Sequence, residues 1–258
     1  MFESRHNMLL AAKHAFLKSF TPPTRQDKSI AKCFRASVRI GLWLGTILFV
    51  VDTSPADGQS SFREVSFQTS DGGHVFANLY GKGDHAVVLA HGAIFDKESW
   101  HKQAQTLAEN GFRVLAMDFR GYGKSKAGTQ EGALHPDVLG AVLSVRQNGA
   151  KTVSVVGGSM GGGAAARASA ASKPGEIDRL ILLAHEPVSQ PEKLKGRKLF
   201  LVSAGDGIRT RVEQQYNSAT QPKKLIVLDG NAHAQHIFKT KHSEELMKHI
   251  AEWLTAGD

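Results

Sequence analysis

Between Phe62 and Thr255 the chain keeps changing its hydrophobic period. Short runs of consecutive apolar residues alternate with segments that are apolar at every third or fourth position. The runs are Ala86–Ala90, Val114–Met117, Leu180–Ala184, Leu199–Ser203 and Leu225–Leu228, and Thr152–Val156 reads as a further strand although Thr152 and Ser154 interrupt its valines. Unbroken runs of this length suit strands covered on both faces. Lys97–Asn110, Leu134–Gln147 and the small-residue stretch Gly161–Ser172 have the character of helices, and Gly111 stops the first. Ser243–Thr255 closes the chain as an amphipathic helix carrying Leu246, Ile250, Trp253 and Leu254. Ahead of all these, Arg63–Thr69 and His74–Tyr80 alternate around Ser70-Asp71-Gly72-Gly73, the pattern of a hairpin. The predicted class is therefore α/β: a mostly parallel, doubly wound sheet of about eight strands with helices on both faces.

In such a sheet, ligands bind beyond the carboxyl ends of the strands. Those ends carry His91-Gly92-Ala93, Asp118, Gly157-Gly158-Ser159, His185-Glu186, Asp206 and His233. Gly157-Gly158-Ser159-Met160-Gly161 has the form G-x-S-x-G and stands between a strand and a helix, where a sharp turn exposes the serine hydroxyl. Glycines two before and two after Ser159 let the two backbones pass closely, and the helix N-terminus favours developing negative charge. A serine hydroxyl is a poor nucleophile without an adjacent base. Asp206 and then His233 follow at later strand ends, suited to orienting an imidazole and to accepting the serine proton. Glu186 is the alternative acid and His236 the alternative base. An oxyanion needs two N–H donors. Met160 and Ala93 are predicted to supply them, with Ile94 the alternative to Ala93. No metal or cofactor is expected, because no thiolate or carboxylate accompanies His233 and His236 at ligand spacing.

The formal charge of +8 divides unevenly. Residues 1–51 hold eight Lys/Arg against two acids, so the rest of the chain carries only +2. A basic groove for nucleic acid is not indicated. The single Cys33 excludes a disulfide framework. Residues 1–56 are expected to be a targeting segment. Basic residues precede the apolar run 40–51, which is too short to span a bilayer, and Ser54-Pro55-Ala56 offers a cleavage site. Export to the periplasm or medium follows, with no stable membrane insertion after removal of the signal. The long basic region ahead of the run also fits a downstream start, an uncleaved anchor, a transit peptide or a buried helix. Residues 57–258 are the predicted catalytic domain.

Together, His91-Gly92, the run Asp118–Ser125, Gly157–Gly161, Asp206 and Gly230-Asn231-Ala232-His233 resemble the α/β-hydrolase superfamily over about residues 62–256. The nearest likeness is to lidless esterases and dienelactone-hydrolase-like members, although the dienelactone type uses a cysteine where this chain has Ser159. The resemblance implies an enzyme that cleaves a small-molecule ester with Ser159, His233 and Asp206, and that needs no cofactor. It makes the Asp118–Ser125 loop structural. Only 14 residues, His185–Lys198, stand where many members insert a cap, so no cap domain is expected. Peptidase, thioesterase or acyltransferase chemistry is open to the same residues, as is a non-catalytic binding role.

Overall fold

The computed structural model describes residues 62–256. The expected targeting segment over residues 1–56, with its apolar run 40–51, lies outside the described residues. The strands are β1 (Phe62–Gln68), β2 (His74–Tyr80), β3 (His85–Ala90), β4 (Arg113–Met117), β5 (Thr152–Gly158), β6 (Arg179–Leu183), β7 (Arg197–Ser203) and β8 (Lys223–Leu228). They form one sheet in the order β1-β2-β4-β3-β5-β6-β7-β8. The hairpin β1–β2 is antiparallel, β2 meets β4 antiparallel, and every pairing from β4 to β8 is parallel. Every residue of β6 and all but the first of β3 and β5 are buried, so both faces of the sheet's centre are covered. This is why β3 and β6 appear in the sequence as unbroken apolar runs, whereas β5 carries the buried Ser154, paired with His85 Nε2 at 2.7 Å.

The α-helices are α1 (His101–Glu109), α2 (His135–Gln147), α3 (Met160–Ala171), α4 (Arg209–Ser218) and α5 (Ser243–Thr255). Two differ from the sequence expectation. Lys97–Trp100 is a tighter 3₁₀ turn leading into α1, with the Asp96 side chain accepting from the Ser99 N–H at 3.1 Å. Helix α4 had no apolar stripe to announce it, since Val212 is its one buried residue. Between β6 and β7 the chain makes only a single 3₁₀ turn, Pro191–Lys193, so no cap domain is inserted there. Among the described residues no helix is long and apolar enough to cross a membrane.

One polar cluster sits inside the fold. Arg120, in the loop after β4, donates through Nη1 and Nη2 to Asp71 at 2.7 and 3.0 Å. It also donates through Nη2 and Nε to Asp137 of α2 at 2.6 and 2.9 Å. All three side chains are at most 2% exposed. The cluster ties the β1–β2 turn, the loop after β4 and the start of α2 into one unit. The Arg120 guanidinium holds the Asp71 carboxyl well below its ordinary 3.8. A lowered folded-state value contributes stability above the unfolded value, and that contribution fades as the pH falls below it. Removing the cation strands two buried carboxylates, so Arg120→Met is expected to cost about 3–5 kcal/mol near neutral pH. Urea unfolding should show the gap between variant and wild type narrowing as the pH is lowered towards about 3, where protonation relieves the variant and weakens the wild type. A gap independent of pH would contradict this account.

Candidate active site

Strand β5 ends at Gly158, and helix α3 begins at Met160, so the whole change of direction falls on Ser159. The backbone of Ser159 has φ 51°, in the left-handed region that a non-glycine residue seldom enters. Its neighbours hold it there. The Ser159 N–H donates to Leu183 O at 2.9 Å, and Ser159 O accepts from Gly163 and Glu186 N–H at 3.0 and 3.1 Å. The flanking glycines are required by contact. A Cβ at Gly157 would lie 2.5 Å from Gly161 O, and one at Gly161 would lie 2.3 Å from Ala90 O.

His233 follows β8 and Asp206 follows β7. The Ser159 Oγ lies 2.8 Å from His233 Nε2, and His233 Nδ1 lies 2.8 Å from Asp206 Oδ2. Nδ1–H donates to the carboxylate, which leaves Nε2 as the acceptor for the serine hydroxyl. The other carboxylate oxygen of Asp206 accepts from Ile208 N–H at 3.1 Å, and its side chain is 5% exposed. The His233 side chain is 40% exposed, so the chain of three groups runs from a buried anion to an open imidazole. This arrangement can activate a hydroxyl for attack on an electrophilic carbon.

The alternatives lie apart from this chain of bonds. Glu186 is half-exposed and faces Arg167 at 3.6 Å. The ring of His236 packs against Phe95, with centroids 5.1 Å apart. Asp118 accepts from Lys97 Nζ and N–H at 2.9 and 2.8 Å, which fixes the loop rim as expected for a structural loop. Among the described residues no cluster of three or more His, Cys, Asp or Glu could hold a metal ion.

The expected oxyanion donors are placed at the same strand ends. Met160 is the first residue of α3, and its N–H has no intrahelical acceptor. The Gly92–Ala93 peptide is held through its carbonyl: Gly92 O accepts from Phe95 N–H at 3.0 Å and from His91 Nδ1 at 2.9 Å. Tyr122 Oη donates to Ala93 O at 2.7 Å. A trans peptide sends its N–H opposite to its carbonyl, so the two bonds to Gly92 O turn the Ala93 N–H away from the loop interior, while the Tyr122 bond holds the next peptide, Ala93–Ile94. Ile94, the alternative donor, is 78% exposed. His91 also accepts from Phe119 N–H at 3.2 Å, and burial pushes its imidazole below the ordinary value, as befits a neutral brace. Tyr122 and Gln235, which touch this loop, carry no spacing signal that would single them out in the sequence.

The sequence matches the alpha/beta hydrolase fold family over residues 85–225. A non-heme haloperoxidase of Rhodococcus erythropolis is 29% identical over 143 residues, 55% of this chain and 52% of that protein. A 2-hydroxy-6-oxononadienedioate/2-hydroxy-6-oxononatrienedioate hydrolase of Burkholderia vietnamiensis is 35% identical over 115 residues, 42% of this chain and 39% of its own. The chain thus spans about half the length of the curated relatives it matches, or less. An esterase from Pyrococcus furiosus superposes with TM-score 0.63 at 20% identity, covering 75% of this chain and 90% of that one. A dienelactone hydrolase from Anabaena variabilis gives 0.62 at 20% identity, covering 75% and 97%. At these identities the likeness of structure establishes the fold.

At Gly161, helix α3 runs equally close to the end of β3. Gly161→Ala places a methyl group against two carbonyls that belong to rigid elements. It is expected to cost about 3 kcal/mol in urea unfolding, at the upper end for overpacking. A variant as stable as the wild type would show that the backbones can part.

Proposed function

The chain belongs to the alpha/beta hydrolase fold family, and from that premise we propose that it is a serine hydrolase cleaving a carboxylic ester through an acyl-enzyme on Ser159. The observation that carries the proposal is the unbroken hydrogen-bonded series Ser159–His233–Asp206, with the serine at a positive φ on the strand-to-helix turn. Relatives named as hydrolases and neighbours named as esterases support the reaction class.

On this reading Ser159 Oγ attacks the ester carbonyl carbon while His233 Nε2 takes its proton. Asp206 keeps the ring oriented and favours the imidazolium without itself taking the proton. The carbonyl oxygen becomes an oxyanion, facing the N–H groups of Ala93 and Met160. The C–O bond to the alcohol then breaks as His233 returns the proton to the leaving oxygen. Water attacks the acyl carbon while His233 takes its proton; the bond to Ser159 Oγ then breaks, the acid leaves, and His233 returns the proton to the serine. No step calls for a metal or a cofactor. The exposed His233 and the short β6–β7 connection favour small esters, or the protruding end of a larger molecule. The basic and then apolar N-terminal segment supports an exported enzyme.

Fluorophosphonate treatment with peptide mapping, together with a panel of p-nitrophenyl, thioester and anilide substrates, tests the reading. Label on Ser159 and turnover of short esters are the expected result. Ser159→Ala should abolish labelling, and Asp206→Asn should lower kcat by about 10⁴-fold with the fold intact. A folded protein that neither reacts nor turns over any of the panel would refute the proposal and leave a binding role. Faster thioester or anilide turnover would keep the residues and change the substrate class.

A further inference from the structure

We propose that Gln235 is a positioning residue, locking the Ala93 N–H in register with the elbow and coupling that loop to the loop bearing His233. The inference rests on the hydrolase reading of Ser159. Gln235 is 4% exposed and lies two residues after His233, beyond Ala234, whose φ is 47°. Its Oε1 accepts from Gly92 N–H at 2.7 Å, across 143 residues of sequence. Its Nε2 donates to Ser99 Oγ at 3.0 Å, and that hydroxyl donates in turn to Asp96 O. The network fixes the orientation of the amide, because the Gly92 N–H can be met only by the oxygen end.

The need for such a brace follows from Gly92 itself. Glycine sits easily in many conformations, so a peptide N–H that must face a reacting atom is poorly defined beside one. Both peptide planes flanking Gly92 have to be held. The plane after it is held through Gly92 O by Phe95 N–H and His91. The plane before it is held by Gln235 through Gly92 N–H. The side chain also packs against the turn that presents the serine: a Cβ at Gly158 would lie 3.2 Å from Gln235 Cγ, and one at Gly92 would lie 3.5 Å from its Oε1. One buried amide therefore touches the loop after β3, the elbow and the start of α1's lead-in turn, while hanging from the His233 loop. Gln235 is placed to act through the groups it holds, chiefly the Gly92–Ala93 segment, and not as a catalytic group.

Gln235→Leu keeps similar bulk and removes both hydrogen bonds. A misplaced donor weakens the transition state more than the bound ester, so kcat should fall about 10- to 100-fold with KM within about twofold. Affinity for a boronic acid that mimics the tetrahedral adduct should fall by the same factor as kcat/KM. Amide exchange over residues 91–95 should quicken, while Ser159→Ala leaves it unchanged. Gln235→Glu retains an acceptor for Gly92 N–H and should restore that protection. Ser99→Ala releases only the far end of the amide, and is expected to show the same split with a smaller loss. If Gln235→Leu does not fold, Ser99→Ala carries the test. Unchanged kcat, or unchanged exchange over 91–95, overturns the proposal. A folded wild-type protein that is neither labelled nor active would defeat the hydrolase reading instead, and the exchange measurement would still decide whether Gln235 holds the loop.

Discussion

A methyl group cannot fit between the end of β5 and the first turn of α3, and much else in the structure depends on that contact. With glycine at 157 the two backbones lie against each other, glycine at 161 lets α3 lie against the end of β3, and Ser159 is left to make the whole turn. The φ of 51° that results is unfavourable for a serine by about 1–3 kcal/mol. It persists because three backbone hydrogen bonds at Ser159 over-determine it. The same turn aims the hydroxyl outward, sets the first free N–H groups of α3 beneath it, and leaves the strand beyond available for pairing with β6.

The residues that meet Ser159 reach this turn from distant parts of the chain, on loops held by their neighbours. Asp206 and His233 hang from adjacent parallel strands, β7 and β8. The loop after β3 is braced by the neutral ring of His91, by Tyr122 and by Gln235. The loop after β4, which carries Tyr122, is in turn anchored by the buried Arg120 between two carboxylates. Rigid elements and hydrogen-bonded buried groups thus stand behind Ser159, Asp206 and the loop carrying Ala93.

The centre of the sheet is legible because burial on both faces leaves short apolar runs bounded by turn residues, and the hairpin because β1 and β2 alternate; β8 also reads as an apolar run, although the structure leaves Val227 exposed. Helix α4 was hidden, since a helix with Val212 as its one buried residue has no period to detect. The split at Lys97–Trp100 was hidden for another reason: the Asp96 cap tightens the first turn without altering hydrophobic spacing. At the site, G-x-S-x-G between a strand and a helix marked the position of the sharp turn. The choice between His233 and His236 turned on which residue follows the strand directly, and the structure puts His233 beside Ser159 and His236 against Phe95. Gln235 and the partners of Arg120 could not be read, because their meaning lies in groups 143, 49 and 17 residues away.

The single 3₁₀ turn between β6 and β7 has a consequence for the fate of an intermediate. An enzyme that folds a lid over its acyl group can choose which nucleophile meets it, and can keep water out. Among the described residues nothing plays that part, and the imidazole that would activate the nucleophile stands open to solvent. Bulk water, at roughly 55 M, then outcompetes any dilute alcohol or amine unless the rim binds it. On the proposed chemistry such a site partitions towards hydrolysis rather than transfer.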